Sequence, residues 1–321
     1  MKRHLLIQQL QNTVWALHPA ALAKVTQVLT RWAAGMAPTA EVMAMISADK
    51  EARAAKQASN ARAGGGSIAV LPLYGILTQR GNMADDISGP GSCSTQQFTQ
   101  TFRSALNDDT IGGIILDIDS PGGSVFGVAE LAAEIMQARG QKPIFGISNS
   151  LCASGAYWIG SACSELYCTP GGEVGSIGVY TAHFDYSGAM EQDGVKATLI
   201  SAGEYKTEGH PYGPLTDEAK AAIQQSVDAY YAAFTQGVSK GRGVPVAAVR
   251  EGMGQGRCLV AAEALAAGMT DGTMTFDDVV AKMQKQMRAN RGTVAETIKP
   301  ETVAVPFDAI KLAKARLLLA S

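Results

Sequence analysis

The stretch GIILDIDSPGG, residues 113–123, decides the fold class that the sequence predicts. Its first six residues are mostly apolar and rich in β-branched side chains, which is typical of a buried strand. The turn at 119–123 contains two consecutive glycines, and residues 124–139 then follow a helical pattern. A buried strand that leads through a tight turn into a helix is the first half of a βαβ unit.

The same alternation continues on both sides of this stretch, which predicts an α/β fold with parallel strand pairing and right-handed crossovers. Further strands are predicted over 68–73, 143–147, 166–168, 176–180 and 197–200. Further helices are predicted over 95–106, from about Ser154, and over 216–240, 245–251 and 261–267.

The ends of the chain are predicted to lie outside this α/β domain. Residues 4–35, with an interruption near Pro19, and residues 39–58 show helical periodicity, and the run AGGGS at 63–67 then breaks any helix. We therefore predict a helical N-terminal extension over 1–62, a main domain over 67–287 and a C-terminal tail over 288–321. The tail carries a predicted helix over 307–319.

The composition excludes several classes of protein. Hydrophobic residues make up 46% and charged residues 17% of the 321 positions, which favours a folded core. A net charge of −2 is unlike that of a nucleic-acid-binding protein. The five cysteines lack zinc-site spacing, so we expect reduced thiols, no metal and no cofactor. No apolar run reaches the roughly 18–20 residues of a membrane span, and no secretory signal is recognisable, so a cytoplasmic protein is expected.

Two glycine-containing turns follow neighbouring predicted strands and carry the candidate chemistry. The turn at 119–123 can expose backbone N–H groups to a phosphate or a developing oxyanion, although it also fits an ordinary strand-to-helix turn. The turn at 150–158 places Ser154 among small residues, where it is a candidate nucleophile or a simple helix N-cap. Ligands gather at the carboxyl edge of parallel sheets, so the two turns together favour a catalytic site.

A serine nucleophile needs a base, and the sequence offers few. Of the four histidines, only His183 and His210 lie in the predicted main domain. Lys206 lies in a loop after a predicted strand, where a solvated surface charge is the ordinary interpretation. A lysine acts as a base only when neutral, which requires a pKa below its usual value of about 10.4, as desolvation can provide.

Four motifs in order resemble the serine peptidases of family S49, which include signal peptide peptidase A and capsid-processing proteases of tailed phages. The resemblance covers about residues 67–276. The motifs are DSPGG at 119–123, ASGAY at 153–157, VGSIGV at 174–179 and GEYK at 203–206.

The resemblance implies a ClpP/crotonase-like fold and a role for five residues. It assigns Ser154 as the nucleophile and Lys206, 52 residues further along, as the general base. It implies that Ser176 contacts the lysine and that Gly123 and Gly155 form the oxyanion hole.

The N-terminal sequence VWALHP at 14–19 is more similar to the phage capsid proteases than to membrane-anchored relatives. That branch of the family implies polypeptide substrates, namely capsid scaffold and portal proteins. It also implies a homo-oligomer, because active sites in such folds are often completed between subunits, and a location in the host cytoplasm or the procapsid interior.

Four alternatives stay open from the sequence. One is a Ser–His–Asp peptidase with His183 as base and Asp185 nearby, and another is an acyl-CoA enzyme of the crotonase type. The third is a bacterial cytoplasmic protease similar to signal peptide peptidase. The fourth is a non-catalytic capsid assembly protein that keeps the fold.

Overall fold

The computed structural model of the protein describes residues 13–21, 67–80 and 92–297. The predicted helices over 39–58 and 307–319 lie outside these residues. The chain divides into two compact units, residues 1–284 and 285–321. In the second unit, the described residues continue a helix to Thr297. The domain boundaries expected from the sequence stay predictions.

Eleven strands and eight α-helices are found in the described part of the chain. The strands are β1 (Trp15–Leu17), β2 (Ser67–Tyr74), β3 (Ile76–Thr78), β4 (Ser92–Ser94), β5 (Ile111–Ser120), β6 (Gly122–Ser124), β7 (Ile144–Ala153), β8 (Glu165–Cys168), β9 (Glu173–Gly175), β10 (Cys258–Val260) and β11 (Gly272–Thr273). The helices are α1 (Thr95–Asn107), α2 (Val128–Ala138), α3 (Gly155–Ser161), α4 (Ser187–Gln192), α5 (Asp217–Arg242), α6 (Val246–Gly252), α7 (Ala261–Ala266) and α8 (Phe276–Thr297).

The strands form a large and a small sheet. The large sheet has the order β10-β9-β7-β5-β2, with β8 paired to β7 and β11 to β8, and only β10 runs antiparallel to its neighbour. The small sheet has the order β1-β6-β3-β4, with β1 antiparallel to β6. The central strands β5 and β7 are almost fully buried, which explains their continuous apolar runs.

Successive units of strand, short strand and helix build this architecture. In the units that start with β2 and β5, a long strand of the large sheet continues into a short strand of the small sheet and then into a helix. The predicted α/β class is confirmed, and the arrangement is ClpP/crotonase-like. Because β5 and β7 are parallel neighbours, the turns that follow them lie side by side.

Three local predictions are wrong. The helix expected over 4–35 is interrupted by β1, because Trp15–Leu17 is buried between β6 and the backbone of Tyr180 and takes its conformation from them. The strand expected over 176–180 lies earlier, at β9, and residues 197–200 have no regular structure and are exposed. The β-propensity of residues 197–200 suggested a strand, but this propensity reflects side-chain packing on a sheet, and exposed side chains have no such packing.

A partly buried ion pair holds the end of α5 against the large sheet. Arg242 donates two hydrogen bonds to Asp271, at 2.8 and 2.9 Å, and Asp271 also accepts one from the backbone N–H of Leu166 at 2.7 Å. Burial alone would raise the pKa of Asp271, but the hydrogen bonds and the charge of Arg242 outweigh it and lower that pKa.

We expect Asp271→Asn to lower the free energy of unfolding by about 1–2 kcal/mol at pH 7, because it removes a charge-assisted pair that is partly exposed. A carboxyl whose folded-state pKa is lowered stabilises above its unfolded value of about 3.9, and this stabilisation is lost as the pH falls through the folded value. The difference between wild type and variant, measured by urea denaturation, should therefore shrink in acid. Asp109→Asn, at an exposed position, is the matched control; an equal loss in both variants would contradict this role.

Candidate active site

Ser154 lies at the junction of β7 and α3 in a strained backbone conformation. Its φ is 56° and its ψ is −122°, a region that costs a non-glycine residue about 1–3 kcal/mol. The backbone N–H of Ser154 donates to the Gly175 carbonyl at 2.6 Å, which holds the turn against β9. The side chain makes no N-cap hydrogen bond, so the interpretation of Ser154 as a simple helix cap is wrong.

The Ser154 hydroxyl is buried without a hydrogen-bond partner among the described residues. Only 1% of the residue is exposed. A buried hydroxyl without a partner costs about 1–3 kcal/mol, and a catalytic role is one explanation for a structure that keeps such a group. The geometry therefore leaves the Ser154 oxygen available for a reaction.

The first glycine turn lies directly beside Ser154. Gly122 has a φ of +90°, and a Cβ placed on it would lie 2.9 Å from the nitrogen of Gly155. A Cβ on Gly123 would lie 1.9 Å from the carbonyl oxygen of Leu77 in β3, so only glycine fits there. The structure thus brings the backbone of the two predicted oxyanion residues, Gly123 and Gly155, to one place.

A hydroxyl bridge fixes this turn. Ser120 donates its hydroxyl proton to the Gly75 carbonyl at 2.6 Å and accepts from the Gly122 N–H at 3.2 Å. Ser120 is fully buried, so the bridge is shielded from water. The turn is therefore held in place before any ligand binds, which is what an oxyanion hole requires.

Ser176 also lies in the site region. It follows Gly175, the acceptor of the Ser154 N–H, and is 4% exposed with a φ of 54°. Its own N–H donates to the Arg257 carbonyl at 2.8 Å. Two strained serines thus flank one backbone hydrogen bond.

Lys206, in contrast, is not brought to Ser154 within one chain. It lies in an exposed turn in which its N–H donates to the Gly203 carbonyl at 3.2 Å. Because the Ser154 hydroxyl has no partner among the described residues, the two side chains form no hydrogen bond here.

The segment that carries Lys206 exposes large apolar side chains. Ile200 is 95% exposed and Tyr205 56%. Phe184, Tyr186, Val195 and Leu199 are also exposed. Several exposed large apolar side chains within one short segment are consistent with an interaction surface.

The histidine alternative is not assembled in one chain either. A ring nitrogen of His183 contacts the His210 carbonyl at 3.1 Å, and Asp185 accepts from the Ser187 N–H at 2.8 Å. Hydrogen bonds from Ser187 are the main reason why the pKa of Asp185 is lowered. Neither His183 nor Asp185 is hydrogen-bonded to Ser154.

Other chemistry finds little support in the described part of the chain. All five cysteines are unpaired, and burial raises the pKa of Cys152, two residues before Ser154, so that this thiol stays protonated. No cluster of three or more metal-ligating side chains occurs in the ranges that the structure describes. None of the helices found there is both long and apolar enough to cross a bilayer.

The sequence did not predict that β1 takes part in this site. Its central residue, Ala16, is fully buried, and its carbonyl oxygen would lie 2.2 Å from a Cβ placed on Gly122. The strand was missed because three residues are too few to show the alternating pattern of a strand, and the spacing of the neighbouring leucines suggests a helix. The absence of a charged side chain in VWAL was the available signal.

Fold and site together define an α/β protein of ClpP/crotonase-like fold whose site centres on a buried, strained serine. Residues 136–290 match the model of peptidase family S49. This match spans just under half of the chain and makes it similar to the S49 peptidases, a family of the serine protease class.

Individual relatives show the same similarity. The chain is 32% identical over 228 residues to "Capsid assembly protease C" of Escherichia phage lambda, covering 71% of this chain and 51% of that protein. It is 32% identical over 246 residues to "Head-tail preconnector protein GP5" of Enterobacteria phage P21, covering 74% of this chain and 47% of that protein. It is 27% identical over 240 residues to "Serine protease SPPA, chloroplastic" of Arabidopsis thaliana, covering 73% and 35%.

The chain thus spans about half the length of the two phage relatives. Among solved structures, a membrane-bound stomatin-specific protease matches 69% of this chain and 86% of its own, with 15% identity and a TM-score of 0.44. A ClpP1 variant from Listeria monocytogenes matches 65% and 92%, with 14% identity and a TM-score of 0.39.

Proposed function

We propose that the protein is a serine endopeptidase in which Ser154 is the nucleophile and Lys206 the general base. The observation that carries the proposal is the buried Ser154 hydroxyl, which has no hydrogen-bond partner among the described residues and lies next to the backbone of Gly123 and Gly155. A nucleophile beside two preorganised N–H donors is the arrangement that acyl transfer needs.

The proposed reaction proceeds through an acyl-enzyme. Neutral Lys206 takes the proton of Ser154, whose oxygen attacks a peptide carbonyl, and the oxyanion is bound by the N–H groups of Gly123 and Gly155. Lys206 then gives the proton to the leaving amine. Water hydrolyses the ester on Ser154 and restores the free enzyme.

Lys206 reaches Ser154, in this proposal, from a second copy of the chain. The exposed turn of Lys206 follows the apolar residues Leu199 and Ile200, which a subunit interface would cover. Burial in such an interface would remove water from the amine and favour its neutral form. The homo-oligomer and the complete site would then form together.

Ser176 is proposed to orient the lysine. It directly follows Gly175, the last residue of β9, and is held close to the Ser154 turn because Gly175 accepts the hydrogen bond of the Ser154 N–H. A hydroxyl there could accept a hydrogen bond from the amine and direct its lone pair at Ser154.

The proposed substrates are phage capsid, scaffold and portal proteins, cleaved in the host cytoplasm or the assembling procapsid. This rests on the two phage relatives, whose names describe a capsid assembly protease and a head-tail preconnector protein. The plant relative, named as a serine protease SPPA, supports a signal-peptide-peptidase-like protease as the second candidate.

Co-expression with capsid, scaffold and portal proteins, followed by intact-mass analysis, tests this function. We expect trimmed products with the wild-type chain and with Ser164→Ala, which changes an exposed serine, and none with Ser154→Ala. Unchanged masses of all partners with the wild-type chain would contradict the capsid substrate. Trimming by Ser154→Ala would contradict the proposed nucleophile.

A further inference from the structure

Strand β1 lies along β6 in a defined antiparallel register. Ala16 is opposite Gly123, and Leu17 is opposite Gly122. Backbone hydrogen bonds flank this pair two residues away on either side, from His18 N–H to Pro121 O at 2.7 Å and from Val125 N–H to Val14 O at 3.3 Å. Hydrogen-bonded pairs alternate in an antiparallel ladder, so the Ala16–Gly123 pair between them is hydrogen-bonded too. The Gly123 N–H therefore points at the Ala16 carbonyl.

The same carbonyl also lies close to the second oxyanion residue. A Cβ placed on Gly155 would lie 3.3 Å from the Ala16 oxygen, and one placed on Gly122 would lie 2.2 Å from it. The Ala16 carbonyl thus lies close to both Gly123 and Gly155, and Gly155 directly follows Ser154 in the chain. A scissile carbonyl would occupy this position.

The side chains of this segment alternate between two environments, as those of a bound extended peptide do. Ala16 is fully buried in the main core, and Val14 packs against the same core. Trp15 and Leu17 point into a separate cluster that includes Tyr180. Two backbone hydrogen bonds with Tyr180, at 2.9 and 3.1 Å, hold the other edge of β1.

We propose that β1 occupies the substrate cleft of this protease and that the peptide bond between Ala16 and Leu17 is one of its substrates. The inference rests on the proposed function. Ser154 attacks the Ala16 carbonyl carbon, and the carbon–nitrogen bond to Leu17 breaks as the leaving amine takes the serine proton. Water then hydrolyses the ester. The products are residues 1–16 with a new carboxylate and a chain that begins at Leu17.

This arrangement has two consequences for other substrates. Any other polypeptide competes with β1 for the edge of β6, so intact β1 restrains the site. The cleft favours a small residue before the cleaved bond, since the Ala16 position is fully enclosed, and an aliphatic residue two positions earlier, as at Val14.

Intact-mass analysis of the incubated full chain tests the proposal. We expect the wild type and Ala20→Asp, a matched change at an exposed position four residues on, to be cut after residue 16. Ser154→Ala should stay intact. Ala16→Asp should be cut there at least about 100-fold more slowly, because a carboxylate is costly in an enclosed apolar pocket.

Labelling of Ser154 by a fluorophosphonate separates the inference from the proposed function. A wild-type chain that is labelled but never cut after Ala16 overturns the inference alone. A chain that is neither labelled nor active on any protein overturns both. Cutting of Ala16→Asp after residue 16 at the wild-type rate also overturns the inference. The position of the cut in the wild-type chain decides the question even if Ala16→Asp does not fold.

Discussion

Replacement of Ser154 by alanine is expected to lower the hydrolysis of an unstructured protein substrate by about 10⁴-fold or more, which is the scale of losing a catalytic nucleophile. The residual rate would come from the oxyanion donors and from substrate binding. The reason for the loss is specific to this site, because the Ser154 hydroxyl lies beside the backbone of Gly123 and Gly155.

The fold is expected to survive this change. Alanine keeps the Cβ of Ser154 and removes a buried oxygen that has no hydrogen-bond partner among the described residues, so urea denaturation should show little loss. Ser164→Ala, at an exposed position, should keep full activity. If Ser154→Ala retained more than about a tenth of the wild-type rate, Ser154 would not be the nucleophile.

Lys206→Met is expected to lower turnover by about 10³-fold, within the range for losing a general base. Methionine keeps most of the alkyl chain and removes only the amine, so packing at a subunit interface should be little affected. Lys196→Met, an exposed lysine ten residues earlier, is the matched control and should stay active.

Mixing the two inactive variants tests whether the lysine comes from a neighbouring copy. If it does, oligomers assembled from Ser154→Ala and Lys206→Met chains contain some sites with both intact residues, and activity returns. Wild-type activity of Lys206→Met would contradict the base assignment. Loss of activity below about pH 6.5, together with an inactive His183→Ala, would favour the histidine alternative instead.

The central strands of the main sheet could be predicted from the sequence because they are buried on both faces. The runs at 113–118 and 143–147 leave no other reasonable element, and β5 and β7 lie there. The glycine turns could be located too, since Gly122 needs a positive φ and Gly123 needs the space that a Cβ would take.

The parts that could not be predicted depend on long-range contacts. Strand β1 is extended because it pairs with β6 on one edge and with the backbone of Tyr180 on the other. The helical pattern of residues 4–35 does not contain these long-range contacts, so it predicts a helix instead. The position of Lys206 is another case. Its loop has no regular helix or strand, so the sequence pattern does not predict where the amine lies or whether it acts in its own chain or in a neighbouring copy.

Labelling with a fluorophosphonate followed by peptide mapping tests the central claim most directly, since this reagent phosphonylates an activated serine and releases fluoride. We predict one adduct on the wild-type chain, at Ser154, and none on Ser154→Ala. An adduct on a different serine, or no adduct on a folded and assembled wild-type chain, would contradict the account.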